Sequence, residues 1–460
     1  MTTSRPLPPG PLIAYYGDDF TGSSAVMEAT QFAGLDTVLF LSVPTAERLA
    51  AFSAYRVIGF AGIARSQSPE WMLGNLPDIF RSVRAIGAPI SHYKVCSTFD
   101  SSPAVGSIGC AADIAGEIFD RGWIPMIVAD PGMARFQAFG HHFAIAEDTG
   151  YRLDRHPVMS RHPITPMRES DLARHLAQQT SKHIGLVDFA AIKRGEADLR
   201  LAKELAGGAE IVSIDVLDHE TLVAAGRLVW ERGGERLFAI GSQGFEAALV
   251  AHWRTAGLIP ARPAPSSAPP ADRIAVVSGS VSPITAAQIA TARNAGFADI
   301  ALDVVRVVDE REWQCEIERA TSAALAALSG GRDPIVYTAA GPDDPAVSAL
   351  KTSLAAANLS SDVANERIGT GLGKVLSAVM RTARLRRVVI SGGDTSGRAA
   401  SVVGIDALTA IAPIAPGSPL CRAHCASGPF DGIEIALKGG QVGAADFFCA
   451  AKRGDTGSNT

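Results

Sequence analysis

Charge is scarce in this sequence. Only 19% of its 460 residues are Asp, Glu, Lys or Arg, and the formal net charge is -5. No basic surplus exists to attract a phosphate backbone, which argues against nucleic acid as a partner. Aromatic residues are also few, at 6%, whereas the hydrophobic content of 47% excludes intrinsic disorder. No apolar run approaches the ~20 residues that span a bilayer. The opening MTTSRPLPPGPL lacks the apolar core of a secretory leader. These absences predict a cytoplasmic protein with no membrane partner. Six cysteines occur, and the only close pair is Cys421 and Cys425, with His424 between them. A zinc site would need a second pair at suitable spacing, so reduced thiols and no metal are expected there. Familiar nucleotide signatures are missing as well. Gly371-Leu372-Gly373-Lys374 is followed by Val375 where a Walker A loop requires Ser or Thr. Protein-kinase motifs and a dinucleotide fingerprint after the first strand are absent.

What is present is an alternation of short apolar segments with helical patterns. Leu12 to Tyr16, Asp36 to Leu41, Arg56 to Phe60, Ser91 to Cys96, Met126 to Ala129 and Ile211 to Asp215 read as buried strands. After them come Ile274 to Val277, Pro334 to Thr338 and Arg387 to Ile390. The pattern predicts an α/β protein with mainly parallel sheets covered on both faces. Residues 258–272, LIPARPAPSSAPPAD, carry five prolines and predict a stiff connector. The expected organisation is therefore a domain over 1–257, a linker over 258–272 and a second α/β domain over 273–460. No internal repeat is visible.

Three sets of residues carry the chemistry. The first is Gly17-Asp18-Asp19-Phe20-Thr21-Gly22-Ser23, between a strand and a helix-like stretch from Ser23 to Ala33. Strand ends of open α/β sheets are where ligands bind. Neighbouring residues in extended backbone point opposite ways, so one carboxylate can face a ligand while the other orients the loop. A kinase needs such a carboxylate to align the accepting hydroxyl and take its proton. A plain helix N-cap is the competing explanation.

The second set is Lys94 with Ser97, Thr98, Asp100 and Ser101, a cation, hydroxyls and a carboxylate suited to a polyhydroxylated acid. A capped Ser/Thr-rich turn would look similar. Arg65 also follows a strand and is a candidate clamp for a carboxylate. Asp130 to Met133 should border the same cleft, with Arg135 a possible substrate contact. His141 and His142 are expected in a loop, and His162, ahead of Pro163, is expected to fix a connection. The third set comprises Ser278-Gly279-Ser280, Ser391-Gly392-Gly393-Asp394-Thr395-Ser396-Gly397 and Lys438-Gly439-Gly440-Gln441-Val442-Gly443. Glycine-rich turns let backbone N–H groups approach an anion, and a following helix adds its positive end. Three such turns in one domain point to nucleotide phosphates. Asp394 is a candidate to hold Mg²⁺ through water.

At these residues the chain resembles the four-carbon acid sugar kinase family. GDDFTGS, KVCSTFDSSP, Arg161 to Met167 (RHPITPM), the SGS turn, SGGDTSG and LKGGQVGAADFF occur in one order from Leu12 to Phe448. The resemblance implies an ATP-dependent kinase of small sugar acids such as 3-oxo-tetronates, threonate, erythronate or 3-oxo-isoapionate. It implies an N-terminal domain for the acid and a C-terminal domain for the nucleotide. By motif, ATP contacts are expected at Ser278, at Gly392, Gly393, Asp394 and Thr395, and at Gly440. The acid is expected near Asp18, Asp19, Arg65, Lys94, Ser97 and Thr98. Asp19 is the expected base, with Asp18 as its alternative. Departures from the family pattern are Gly106-Ser107, Asp394 in place of a frequent Glu, and Gly17 in place of Ala before the Asp pair. Gly17 and Gly106-Ser107, with the CSTFDS segment, lean toward the keto-acid and 3-oxo-isoapionate branch. Two other classes stay open on the residues: a dinucleotide-dependent oxidoreductase or lyase, and a non-catalytic sugar-acid-binding protein. A homo-oligomer is also an open expectation.

Overall fold

The computed structural model describes residues 4–119, 122–261 and 265–456, apart from the side chains of residues 394–396. The chain divides into two compact units, one ending at residue 263 and the other starting at residue 264. Part of the expected linker, residues 262–264, lies outside the described residues.

Eleven strands belong to the first unit: β1 (Ile13–Gly17), β2 (Thr37–Phe40), β3 (Val57–Ala61), β4 (Ile90–Lys94), β5 (Ile124–Ile127), β6 (Arg135–Ala138), β7 (His141–Ala146), β8 (Thr149–Arg152), β9 (Ile184–Val187), β10 (Ile211–Ile214) and β11 (Leu237–Gly241). Eight of them pair in the order β2-β3-β1-β4-β11-β5-β10-β9. Every pairing in that row is parallel. A parallel sheet flanked by helices is buried on both faces, and β1, β4 and β11 are accordingly buried at every position. β6, β7 and β8 form a separate antiparallel sheet. His141 and His142 open β7 and do not sit in a loop as expected; the loop is the Phe139-Gly140 turn before them, both residues with positive φ. Register sets the ends level: Gly17 lies opposite Ala61 and Lys94, and Lys94 opposite Gly241. The loops leaving β3, β1, β4 and β11 therefore emerge side by side.

The second unit contains β12 (Ala275–Ser278), β13 (Ala298–Ala301), β14 (Pro334–Tyr337), β15 (Arg387–Ser391), β16 (Ala407–Ala415), β17 (Ser418–His424) and β18 (Glu434–Lys438). Their order is β13-β14-β12-β15-β18-β17-β16. β13, β14, β12, β15 and β18 run parallel, while β17 is antiparallel to both neighbours. Helix Pro283–Asn294 follows β12 and helix Gly393–Val403 follows β15. Ile274, Val276, Ile289, Val389 and Phe448 meet in one core. The chain at the start of this unit is exposed at most positions yet tied to the fold. Ala268 and Ala271 donate backbone hydrogen bonds to Gly454 and Lys452, and Arg387 donates to the Pro269 carbonyl. Gly371 and Gly373 lie inside helix Ser361–Ala383 and face Trp313 and Ala399, so they serve helix packing.

Candidate active site

The end of β1 shows why two adjacent carboxylates take different roles. The Asp18 N–H donates to the Lys94 carbonyl, and the Arg65 N–H donates to the Asp18 carbonyl, at 2.9 and 3.0 Å. These bonds stitch the loops after β1, β3 and β4 together. The Asp18 side chain is 2% exposed and takes a two-pronged contact from Arg65, Nη2 to Oδ1 at 2.6 Å and Nε to Oδ2 at 3.2 Å. The Asp19 side chain is 27% exposed. Its extended backbone caps helix Phe20–Gln31, with Oδ1 accepting from the Gly22 N–H at 2.8 Å. The helix thus starts at Phe20, three residues before the expected Ser23, because Asp19 supplies the cap. Capping and ligand contact are compatible, since the same Oδ1 also meets Arg65 Nη2 at 2.7 Å and no described hydrogen bond occupies Oδ2.

Gly22 forms the floor of this site. A Cβ there would lie 2.6 Å from both Asp19 Oδ1 and Lys94 Nζ, and 3.4 Å from Arg65 Nη2. One acid and two cations therefore converge over a position without a side chain. Lys94 is buried and donates to the Val95 carbonyl at 2.6 Å. Burial pushes the Asp18 carboxyl above its ordinary value and Arg65 opposes that push. The same pairing raises Arg65 well above its ordinary range. The contact geometry makes this an ion pair, held charged by mutual hydrogen bonds. Arg65 thereby pairs with both Asp18 and Asp19.

The loop after β4 forms a second wall. Thr98 Oγ1 donates to Asp100 Oδ1 at 2.8 Å and lies 3.0 Å from Cys96 Sγ. Burial, then the nearby Asp100 charge, pushes the Cys96 thiol up to about 11. Phe99 takes a left-handed φ of 57° and is fully buried beside His175. The Ser97 carbonyl sits 2.9 Å from His142 Nε2. His142 is buried, and desolvation with Arg135 nearby drops its pKa to about 4, so the ring is neutral. Asp130 accepts from Gln243 Nε2 at 3.1 Å, and Arg135 shares the electrostatic neighbourhood of Cys96, Asp100 and Asp130. Arg135 Nε is buried without a hydrogen-bond partner, while Nη1 reaches the Met133 and Ala134 carbonyls at 3.2 Å. Among the described residues, no carboxylate engages Arg135 within hydrogen-bond reach. Gln243 escaped sequence reasoning because β11, which delivers it, ends a long way from Asp130 in the chain. His162 behaves as expected: its Nδ1 accepts from the Thr165 N–H at 3.1 Å and fixes a turn.

In the second unit all three glycine turns follow strands, including the third, because β18 ends at Lys438. Register aligns Ser278, Ser391 and Lys438 in one row across β12, β15 and β18. Gly392, at φ 133°, opens helix Gly393–Val403. The side chains of Asp394 and Thr395 lie outside what the structure describes. A Cβ at Gly440 would lie 2.8 Å from Ser280 Oγ, so the two turns touch. Ser282 and Thr285 donate to the Gly440 carbonyl, and Gln288 Nε2 reaches the Val442, Gly443 and Ala444 carbonyls at 2.9–3.1 Å. Ser391 Oγ is buried with no partner. Close-packed turns, an orphaned hydroxyl and an eleven-residue helix starting at a glycine fit a nucleotide's phosphates. Among the described residues no cluster of three or more His, Cys, Asp or Glu could hold a metal by itself. None of the described helices is long and apolar enough to cross a membrane.

Comparison with known proteins agrees with this division. Residues 13–249 match the family described as sugar-binding N-terminal domain, and residues 275–448 the nucleotide-binding C-terminal domain. The chain is 49% identical to 3-oxo-isoapionate kinase of Paraburkholderia graminis over 453 residues, covering 98% of this chain and 96% of that one. It is 30% identical to 3-oxo-tetronate kinase of Burkholderia multivorans over 458 residues, covering 96% and 97%. A crystal structure of a Haemophilus influenzae protein superposes with a TM-score of 0.74 at 26% identity, covering 96% of this chain and 99% of that one. With an acid-binding half and a nucleotide-binding half matched along nearly its whole length, the chain belongs to the four-carbon acid sugar kinase family.

Proposed function

We propose that this protein is a cytoplasmic, ATP-dependent kinase that phosphorylates a hydroxyl of a small keto sugar acid, 3-oxo-isoapionate before 3-oxo-tetronate, threonate or erythronate. The observation that carries the reading is the convergence of Asp19, Lys94 and Arg65 over Gly22. Identity of 49% to a 3-oxo-isoapionate kinase supports the choice of acid. Residues 1–257 bind the acid, 273–460 bind the nucleotide, and 258–272 connect them.

Asp19 is the partly exposed carboxylate, so it aligns the acceptor hydroxyl and receives its proton as the new O–P bond forms. Asp18 holds Arg65 and is a positioning residue, buried beneath. Lys94 sits beside Asp19 and steadies charge that develops at the reacting oxygen. The acid's carboxylate falls to Arg135, with hydroxyl contacts from Ser97, Thr98 and Asp100. Ser278, Gly392, Gly393, Asp394, Thr395 and Gly440 cradle the phosphates through amides and hydroxyls. Mg²⁺ bound to ATP neutralises charge between its phosphates. A cytoplasmic setting suits the six free thiols.

A coupled ADP-release assay against the four acids tests the reading. Expected is turnover that depends on both ATP and the acid, fastest with 3-oxo-isoapionate. Absence of ADP release with every sugar acid, at saturating ATP and Mg²⁺, would overturn it.

A further inference from the structure

We propose that Lys438 is a phosphate-binding cation of the nucleotide site, reached from beneath the glycine turns. The inference deepens the reading above and rests on it.

Lys438 closes β18 and is 1% exposed. Its ammonium donates to Thr285 Oγ1 at 3.1 Å and to the Gly439 carbonyl at 2.9 Å, and lies 5.9 Å from the centre of the Phe447 ring. Two of its three N–H groups are used and the third has no described partner. A buried ammonium is costly unless an anion pairs with it. Another buried cation of this unit has such a partner. Arg387, on the neighbouring strand, meets Glu434 along with three carbonyl groups. The described groups against Lys438 are Thr285 from helix Pro283–Asn294, the Gly439 carbonyl, Phe447 from the last helix and, in register on β15, Ser391. None of these described groups titrates, and burial alone lowers the Lys438 pKa to about 8.

The missing partner has a place to sit. Ser391, directly across from Lys438 in register, holds a buried Oγ with no hydrogen-bond partner among the described residues. Ser278, the next member of the row, lies on the same level. Thr285 Oγ1 links the ammonium to Ser280 and to the Gly440 carbonyl, the two turns that touch. An unpaired cation and an unpaired hydroxyl side by side, between glycine turns, are complementary to a phosphate oxygen. Sequence reading treated Lys438 only as the first residue of a glycine loop, because neither its burial nor its lack of an acid can be seen in one dimension.

A phosphate that pairs with Lys438 raises the lysine's affinity for its proton, and reciprocally the protonated lysine binds phosphate more tightly. Below about pH 8 the free protein already carries that proton. Above it, binding must take one up, so affinity falls with rising pH, approaching tenfold per pH unit at most. The test is calorimetric titration of the full-length protein with a non-hydrolysable ATP analogue and Mg²⁺, in buffers of different ionisation enthalpy. Expected for the wild type is uptake of about three quarters of a proton per nucleotide near pH 8.5 and almost none near pH 6.5, about half a unit above and well below the crossover. Lys438→Met should bind about thirtyfold more weakly at neutral pH and show no proton uptake, as loss of a charged hydrogen bond implies. Lys438→Arg should keep most of the affinity and lose its pH dependence, because arginine does not titrate in this range. Wild-type binding without proton uptake, or a Met variant within about threefold of wild type, overturns the proposal. If the Met variant fails to fold, proton uptake by the wild type and its loss in the Arg variant decide the matter. A wild type that binds no nucleotide at all would instead sink the nucleotide reading on which the inference stands.

Discussion

The two units build their sites from the same device and charge them in opposite ways. Each places polar loops at the ends of parallel strands, where helix starts and backbone amides accumulate. In the first unit the charges answer one another: Asp18 and Asp19 both pair with Arg65, and Lys94 comes close to Asp19 beside Gly22. In the second, the described residues of the glycine turns contribute hydroxyls, amides and one ammonium, with no carboxylate opposite it. A self-compensated cluster is rigid before any ligand arrives and suits a substrate read by the direction of its hydroxyls. An uncompensated one is poised for a strong anion. Fold alone does not decide which ligand goes where; charge pairing at the strand ends does.

The comparison breaks first at Asp19. Asp19→Asn keeps the cap and the shape but removes the acceptor of the proton. Turnover should fall about 10²–10⁴-fold, while calorimetry shows nucleotide affinity unchanged, because the residue belongs to the other cluster. Normal turnover in that variant would remove Asp19 from the chemistry. Gly22→Ala probes the same cluster sterically, since its methyl would press on Asp19 and Lys94 at 2.6 Å. It should lower kcat/KM for the acid by about tenfold or more with the KM for ATP intact, a loss of the size that misplaced reacting groups produce.

Stability gives the next contrast. Arg65→Met leaves Asp18 buried and alone, which should cost about 3–5 kcal/mol and show as a lower Tm. Adding Asp18→Asn should restore much of that loss, because the stranded charge disappears. Equal melting temperatures for the single and double variants would mean that the pair is not coupled.

Much of this was legible in one dimension. Short apolar runs marked β1 to β5, β10, β12, β14 and β15 within a residue or two, since buried parallel strands are short and continuous in Val, Ile and Leu. Asp18-Asp19 and the three glycine turns announced themselves by sitting at strand ends. Strands β6 to β9, β11, β13 and β16 to β18 were missed. β11 lies between β4 and β5 although it is last in its unit's sequence, and no local pattern specifies that insertion. The engagement of Arg65 by the Asp pair spans some forty-seven residues, and register rather than spacing creates it. The orphaned Ser391 hydroxyl and the unpaired Lys438 are properties of three-dimensional neighbourhoods, so composition carried no trace of them.

The smallest expected effect is the sharpest test of the contrast, because it asks each cluster to respond to pH. Around the acid site burial displaces three histidines and a cysteine from their ordinary values. Burial takes His142 down to about 4 and lowers His175 and His156, while Cys96 is carried up to about 11. A histidine held neutral by burial adds stability that is fully present above its unfolded value near 6.5 and is lost as pH falls toward about 4. His142 should therefore contribute to acid unfolding, on the order of 3 kcal/mol at most, while leaving catalysis near neutrality untouched. The KM for the sugar acid should stay flat between about pH 6 and pH 8.5, and the KM for ATP should climb severalfold once Lys438 begins to lose its proton above about pH 8. Initial-rate kinetics varying one substrate at a time across that range separate the two curves. If the acid curve bends near neutrality, or the ATP curve stays flat to pH 9, the division between a compensated and an uncompensated cluster is wrong.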